Sequence, residues 1–162
     1  MRERFIQPDE RHLHVACSAL DSAWFDAVPP GRAVFIAAQG LFMYFTEDEM
    51  KTLTQAMAAR FPGAILMFDY LNVALSRRTM SARGWMKTPH YRTPPMPWGL
   101  DRDQVQPTFS RWLGRPVQVH NVTFLFPRGF FRWFMPFCEQ RMPALANKAP
   151  GLCWLRLPED KQ

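Results

Sequence analysis

Three polar clusters follow three short apolar runs, and each is of a kind that can touch a ligand. Gln39-Gly40 follows AVFIAA (33–38), Ser18 and Asp21 lie at the end of LHVACSAL (13–20), and Asp69 follows AILMF (64–68). An amide accepts and donates hydrogen bonds, a carboxylate accepts them, and a glycine lets the backbone come close to a bound molecule. In open α/β sheets ligands bind just beyond the carboxyl ends of the strands, so polar residues there stand where recognition happens. Gln39 either reaches a ligand or satisfies backbone groups of its own loop, and spacing alone does not choose. Ser18, Asp21 and Asp69 are also common turn formers. Taken together, the three clusters fit a cleft along one edge of a parallel sheet.

Other chemistries find less support. His12 and His14 lie two apart, His90 sits among prolines and His120 in mid-strand. No His, Asp or Glu cluster has metal-ligand spacing, and no metal site is expected. A Ser-His-Asp arrangement lacks the G-x-S-x-G elbow that would expose its nucleophile. Cys17, Cys138 and Cys153 are an odd, widely spaced set without C-x-x-C, which suggests no disulfide framework and points to a reducing cytoplasm. No residue is assigned a catalytic role.

The elements that must position these residues belong to an α/β chain. The 162 residues, 48% apolar and 21% charged, fit one globular domain spanning 1–162 and exclude a disordered or collagen-like chain. No apolar run approaches the roughly 18 residues of a membrane span, and no apolar signal segment follows the charged opening. The net charge is +6, divided as −2 over residues 1–62 and +8 over 63–162. The basic residues are scattered, densest at Arg77, Arg78, Arg83, Lys87 and Arg92. They fit a solvated, loop-rich face better than a polyanion site, and neither nucleic acid nor membrane is expected as a partner.

LHVACSAL reads as a buried strand, followed by a loop entering a short helix at DSAWFDAV. AVFIAA reads as a parallel strand covered on both faces. Thr46 and Glu49 have the spacing of a capping box, Met50, Leu53, Met57 and Phe61 recur at helical spacing, and Pro62-Gly63 ends the helix before AILMF. Strand, capped helix and strand make a βαβ unit. Residues 72–87 could hold a helix weakened by Gly84, and the four prolines of 88–99 make that segment loop. VQVHNVTFLF (117–126) and GLCWLRL (151–157) read as strands. The stripe Phe130, Phe131, Trp133, Phe134 and Phe137, with Arg128 and Arg132, fits a core face or a substrate-pocket lid better than a membrane-interface helix.

The stretches HVACSALDSAW, PGRAVFIAAQGLFMYFTEDEM and RFPGAILMFDY, with the tail PALANKAPGLCWLRL, resemble the leucine carboxyl methyltransferase family. Its bacterial branch of polyketide-type O-methyltransferases is the most similar part of it. AQGLFMYF is like that family's EGLLMYL-like motif. The resemblance implies an S-adenosylmethionine-dependent methyltransferase of the class I, Rossmann-like fold. There the strands lie in the order third, second, first, fourth, fifth, seventh, sixth, with the seventh antiparallel. LHVACSAL then corresponds to the third strand, AVFIAA to the fourth, AILMF to the fifth, VQVHNVTFLF to the sixth and GLCWLRL to the seventh.

Under the same resemblance Ser18 and Ala19 match positions that contact the adenine, with Asp21 beside them, and Gln39 and Gly40 match the cofactor-binding motif. Tyr44 matches the motif's tyrosine on the substrate side. The acceptor would be a small molecule carrying a carboxylate or hydroxyl, bounded by Asp69, Trp98, Tyr91 and Phe130. Two departures stand out. Gln39 replaces the family's usual Glu, and the chain contains neither a glycine-rich G-x-G loop nor the acidic strand end that holds the ribose. The expectation is therefore a partial sheet, mostly parallel with an antiparallel last strand and lacking the first two strands. Such a chain would be a C-terminal portion, weak or inactive alone. The rival expectation is a non-catalytic remnant, or one half of a two-chain assembly, that self-associates through an exposed sheet edge.

Overall fold

Thr46 and Glu49 close on each other as their spacing predicts. The Thr46 hydroxyl accepts the Glu49 N–H (3.3 Å), and the Glu49 carboxylate accepts the Thr46 N–H (2.8 Å). The backbone bond from Thr46, with a second from its hydroxyl, holds the Glu49 carboxyl below its ordinary value. This reciprocal cap starts α1, Glu47–Arg60, whose Met50, Leu53 and Met57 are buried. Strands β1 (Phe35–Ala38) and β2 (Ile65–Tyr70) stand on either side of α1 in the chain. They pair in parallel, from Phe35 opposite Ile65 to Ala38 opposite Phe68, which completes the βαβ unit.

The computed structural model describes residues 5–10, 12–122, 129, 137 and 141–159. Two compact units divide the chain, Met1–Ala33 and Val34–Gln162. In the first, the strand expected at 13–20 is not formed. Residues 13–20 carry no ladder, the one bridge among the described residues of this unit is Asp9 with His12, and Leu13 and Val15 are 66% and 46% exposed. An apolar run becomes a strand only where a neighbouring strand takes its backbone groups, and among the described residues no strand does so here. A 3-10 helix, Ser22–Ala27, follows as a short helix should, capped by the Asp21 side chain on the Ala23 N–H.

The second unit carries the sheet. After β2, helix α2 (Val73–Met80) is capped by Asn72, and a small hairpin joins β3 (Met86–Thr88) to β4 (Tyr91–Arg92). Helix α3 (Arg102–Leu113) leads to β5 (Val119–Val122), and α4 (Pro143–Asn147) leads to β6 (Gly151–Arg156). The four-stranded sheet has the order β1-β2-β6-β5. Strand β6 is antiparallel to both neighbours, so β1, β2 and β5 run one way and β6 the other. This is a mixed α/β open sheet, and its order and its single reversed strand agree with the expected fourth, fifth, seventh and sixth strands. Residues 123–126 of the expected sixth strand, and most of the aromatic stripe, lie outside the described residues.

Helix α3 is an element that the sequence reading leaves unassigned. Asp101 and Gln104 form a second capping box, and Gly114 ends the helix at φ 66°. Val105, Phe109 and Trp112 face inward, and Phe109 stacks on Phe68 with ring centroids 5.0 Å apart. Asp101 is 5% exposed, and its carboxylate is ion-paired with Lys148 just beyond α4. Asn72 in turn donates to the Lys148 carbonyl, so this junction ties the end of β2 to the starts of α2 and α3 and to the end of α4.

The two faces of the sheet differ. Leu66, Phe68, Tyr70, Cys153 and Leu155 are buried against the helices. On the other face Phe35 is 59% exposed, so β1 is not covered on both sides as its apolar run suggests. His120 and Trp154 stack there at 4.0 Å. Gly151 lies where any Cβ would overlap the Tyr70 hydroxyl. Among the described residues no helix is long and apolar enough to cross a membrane.

Burial pushes the Cys153 thiol up to about 12 from an ordinary value of 9.0, with the Arg102 charge pulling the other way. Burial also raises the Tyr70 phenol above its ordinary value, while its hydrogen bond with Arg102 lowers it. Both groups ionise more readily in the unfolded chain. Their stabilisation is complete below the unfolded values and is lost as pH rises through the folded ones. The denaturation midpoint is expected to fall as the pH is raised above about 9. Cys153→Ala should flatten that fall, and equal slopes in chemical denaturation would remove the thiol as its cause.

Candidate functional site

Strands β1 and β2 end side by side, and the polar residues at their carboxyl ends meet. Ala38 pairs with Phe68, so Gln39 and Asp69 come next on the two strands. The Gly40 N–H donates to Asp69 Oδ1 at 2.7 Å across the strand ends. Gly40 takes φ 60°, a conformation other residues adopt at a cost, and a Cβ built on it meets nothing within 4 Å. Gln39 is exposed, and no hydrogen bond of its side chain is found among the described residues. The arrangement offers a carboxylate that holds the turn, an amide free to accept and donate, and an open glycine that a ligand can approach.

The proline-rich segment, expected as loop, is hydrogen-bonded near the ends of the same two strands. Trp98 N–H donates to the Met43 carbonyl (3.3 Å) and Leu100 N–H to the Leu71 carbonyl (2.8 Å). The Ser76 hydroxyl donates to the Met96 carbonyl (2.8 Å), and Thr79 Oγ1 accepts the Met96 N–H (3.0 Å). Met43, Leu71, Met96 and Leu75 pack together beneath it. Residues 93–100 therefore form a strap bound through their backbone to α2 and to the turn after β1.

Of the residues singled out in the sequence, Gln39, Gly40 and Asp69 are brought together. Tyr44 ends the 3-10 turn Phe42–Tyr44 and is 41% exposed. Tyr91 is exposed on the hairpin. Trp98 is 3% exposed, inside an aromatic group with Phe68 at 6.1 Å, Trp112 at 6.4 Å and Phe109 at 6.5 Å. In the first unit Ser18 Oγ accepts the Leu20 N–H, and the Ala19 carbonyl accepts the Trp24 indole N–H. With Asp21 capping the 3-10 helix, these three residues build a turn. Phe130 lies outside the described residues. Among the described residues no group of three or more His, Cys, Asp or Glu is placed to hold a metal ion.

No family model and no curated protein matches the sequence. Solved structures similar in shape include the following two. One is the small RNA methyltransferase HEN1, at a TM-score of 0.46 and 13% identity over 76% of this chain and 14% of that one. The other comes from work on the conversion of a disulfide bond into a thioacetal group during echinomycin biosynthesis. It has a TM-score of 0.43 and 13% identity, over 90% of this chain and 56% of that one. This chain thus spans less than two thirds of either structure, and at these values neither likeness assigns it a function.

The position of Trp98 makes a substitution there a test of the core. Trp98→Ala is expected to cost about 3–5 kcal/mol in chemical denaturation. Trp98→Phe keeps a ring and should cost less than half of that. A loss below about 1 kcal/mol for Trp98→Ala would put the indole on an open wall instead.

Proposed function

We propose that the chain is part of an S-adenosylmethionine-dependent O-methyltransferase acting on the carboxylate or hydroxyl of a small molecule in the cytoplasm. The observation that carries the reading is the sheet order β1-β2-β6-β5 with β6 reversed, joined to the Gln39-Gly40 and Asp69 corner at the strand ends. That order is the one implied for this fold by the motif resemblance, and ligands in such sheets lie beyond these strand ends.

The residues present fit one edge of the cofactor. Gly40 leaves its backbone open to a planar or sugar group, and the Gln39 amide can bond to it without adding charge. Asp69 fixes the turn through the Gly40 N–H. When bound, the cofactor supplies an electrophilic methyl group. The protein's part is to hold the acceptor oxygen in line with it and exclude water. A carboxylate acceptor needs no strong base, whereas an alcohol or phenol would need a proton taken up, for which Asp69 and Tyr44 are the candidates. Ser18, Ala19 and Asp21 are assigned to the adenine side by resemblance, and Phe130 to the acceptor side by its place in the chain after the fifth strand.

A non-catalytic or two-chain reading is favoured by one feature. Strand β1 is hydrogen-bonded to β2 and to no other strand among the described residues, and its Phe35 is exposed. An open edge of this kind takes up a further strand, from a second copy or another chain. Light scattering that finds a monomer at all concentrations would count against self-association.

Cofactor binding is read directly from amide resonances. Titrating S-adenosylmethionine into the labelled chain should shift the Gln39 and Gly40 signals with weak affinity. Gln39→Leu should weaken binding by about 5- to 150-fold, the equivalent of about 1–3 kcal/mol for a lost polar contact. Gln39→Glu should bind like the parent. Equal affinity for the Leu variant would leave Gln39 a loop residue, and the absence of any shift at the strand ends would overturn the reading.

A further inference from the structure

Between Asp69 and Asp101 the chain has no Asp or Glu, while Arg77, Arg78, Arg83, Lys87 and Arg92 add five positive charges. Composition alone makes this a solvated face with no membrane partner. Two structural observations change that. The first is where the charges stand. Arg77 and Arg78 lie in the last turn of α2, where the helix dipole favours cations, and Arg83 lies in the turn that follows. Arg92 Nη2, on β4, donates to the Ala82 carbonyl (3.0 Å) and to the Ser81 carbonyl (3.4 Å). Its guanidinium crosses Gly84, where any Cβ would overlap it. The end of α2, the turn 81–84 and the β3–β4 hairpin are thus tied into one exposed surface. Arg77, Arg78 and Arg83 are exposed, and among the described residues their guanidinium groups make no ion pair or hydrogen bond.

The second observation is apolar. Met80, Met86 and Tyr91 are each about half exposed on the same elements, Met80 at the end of α2 and the other two on the strands of the hairpin. Met86 is paired opposite Arg92, which puts both side chains on one face of the hairpin. The helix dipole accounts for Arg77 and Arg78, but not for large apolar side chains standing in water beside them.

A partner that satisfies both features offers negative charge with an apolar layer directly behind it. Nucleic acid offers phosphates, but a methionine has no aromatic face on which a base can stack. A free phosphate offers charge alone. An anionic bilayer offers headgroup phosphates, which guanidinium groups bind through paired N–H donors, and acyl chains beneath them. We propose that the end of α2 and the β3–β4 hairpin form a docking surface for an anionic lipid membrane. Arg77, Arg78 and Arg83 meet the headgroup phosphates, and Met80, Met86 and Tyr91 enter the layer beneath. The proposal does not rest on the methyltransferase reading, because it uses no residue of the Gln39, Gly40 and Asp69 corner.

Sedimentation of the whole chain with lipid vesicles tests it. Vesicles of phosphatidylcholine and phosphatidylglycerol in equal parts should carry the protein down, phosphatidylcholine alone should not, and added salt should weaken the binding. Replacing Arg77 and Arg78 together by Ala should weaken it about 25-fold, at about fivefold for each charge near an anionic surface. Met80→Ser with Met86→Ser should weaken it about tenfold and leave its salt dependence unchanged. All four side chains are exposed, so both variants should keep the parent's denaturation midpoint. Equal sedimentation with the two kinds of vesicle, no sedimentation with either, or methionine variants that bind like the parent would overturn the proposal. So would displacement by glycerol phosphate, or tighter binding to a single-stranded oligonucleotide or to poly-L-glutamate than to the anionic vesicles.

Discussion

Strand β6 is hydrogen-bonded on both sides, to β2 from Gly151 opposite Tyr70 through Arg156 opposite Ile65, and to β5 along Leu152–Leu155. Most of the second unit depends on this double pairing. Without β6, β5 has no neighbour among the described residues, and the buried side chains of β2 lose Cys153 and Leu155 from their layer. The pairing joins segments far apart in sequence, so its ladder bonds form only after a long stretch of chain has been ordered. The closest local units, the capped α1 and the β1–β2 pair, do not need it. This divides the second unit into a part held by local signals and a part held by one reversed strand.

The period of two along a strand lets β2 serve two environments at once. Phe68 and Tyr70 point into the aromatic layer made with Phe42, Trp98 and Phe109. Asp69, between them, points away and holds the Gly40 turn. A one-residue slip of register would exchange these roles, burying a carboxylate and exposing two rings. The polar corner and the core are therefore fixed by the same ladder, and the packing of Phe68 against Phe109 specifies where the Asp69 carboxylate stands.

The legible parts of the fold were those with local chemistry. Thr46 and Glu49 announce α1, Pro62-Gly63 ends it, and the alternating GLCWLRL becomes β6. Helix α3 was hidden because Pro107 interrupts its pattern, although Asp101 with Gln104, the spacing of Val105, Phe109 and Trp112, and Gly114 carry the helix signals. LHVACSAL misled because apolar composition reports the capacity for burial, and a strand also needs a partner. The prolines of 88–99 make that segment read as loop, yet over residues 93–100 carbonyls and N–H groups are bound to Ser76, Thr79 and neighbouring backbone. Gln39 and Asp69 could be found because strand ends can be counted along the chain. The Asp101–Lys148 pair could not, because its members are brought together by tertiary structure alone.

Gly151 has ordinary backbone angles, so its identity is a matter of room and not of conformational freedom. Even a methyl group there would displace the Tyr70 ring, and with it the hydroxyl that links Arg102 to Asn121. The position thus restricts which sequences can drift away from this one while keeping the fold. A larger residue at 151 becomes tolerable only after Tyr70 has been shortened, and that first step itself dissolves the hydrogen-bonded relay. Divergent versions of this chain should accordingly fall into two groups, one with glycine and a tyrosine relay and one with neither, with few viable intermediates between them.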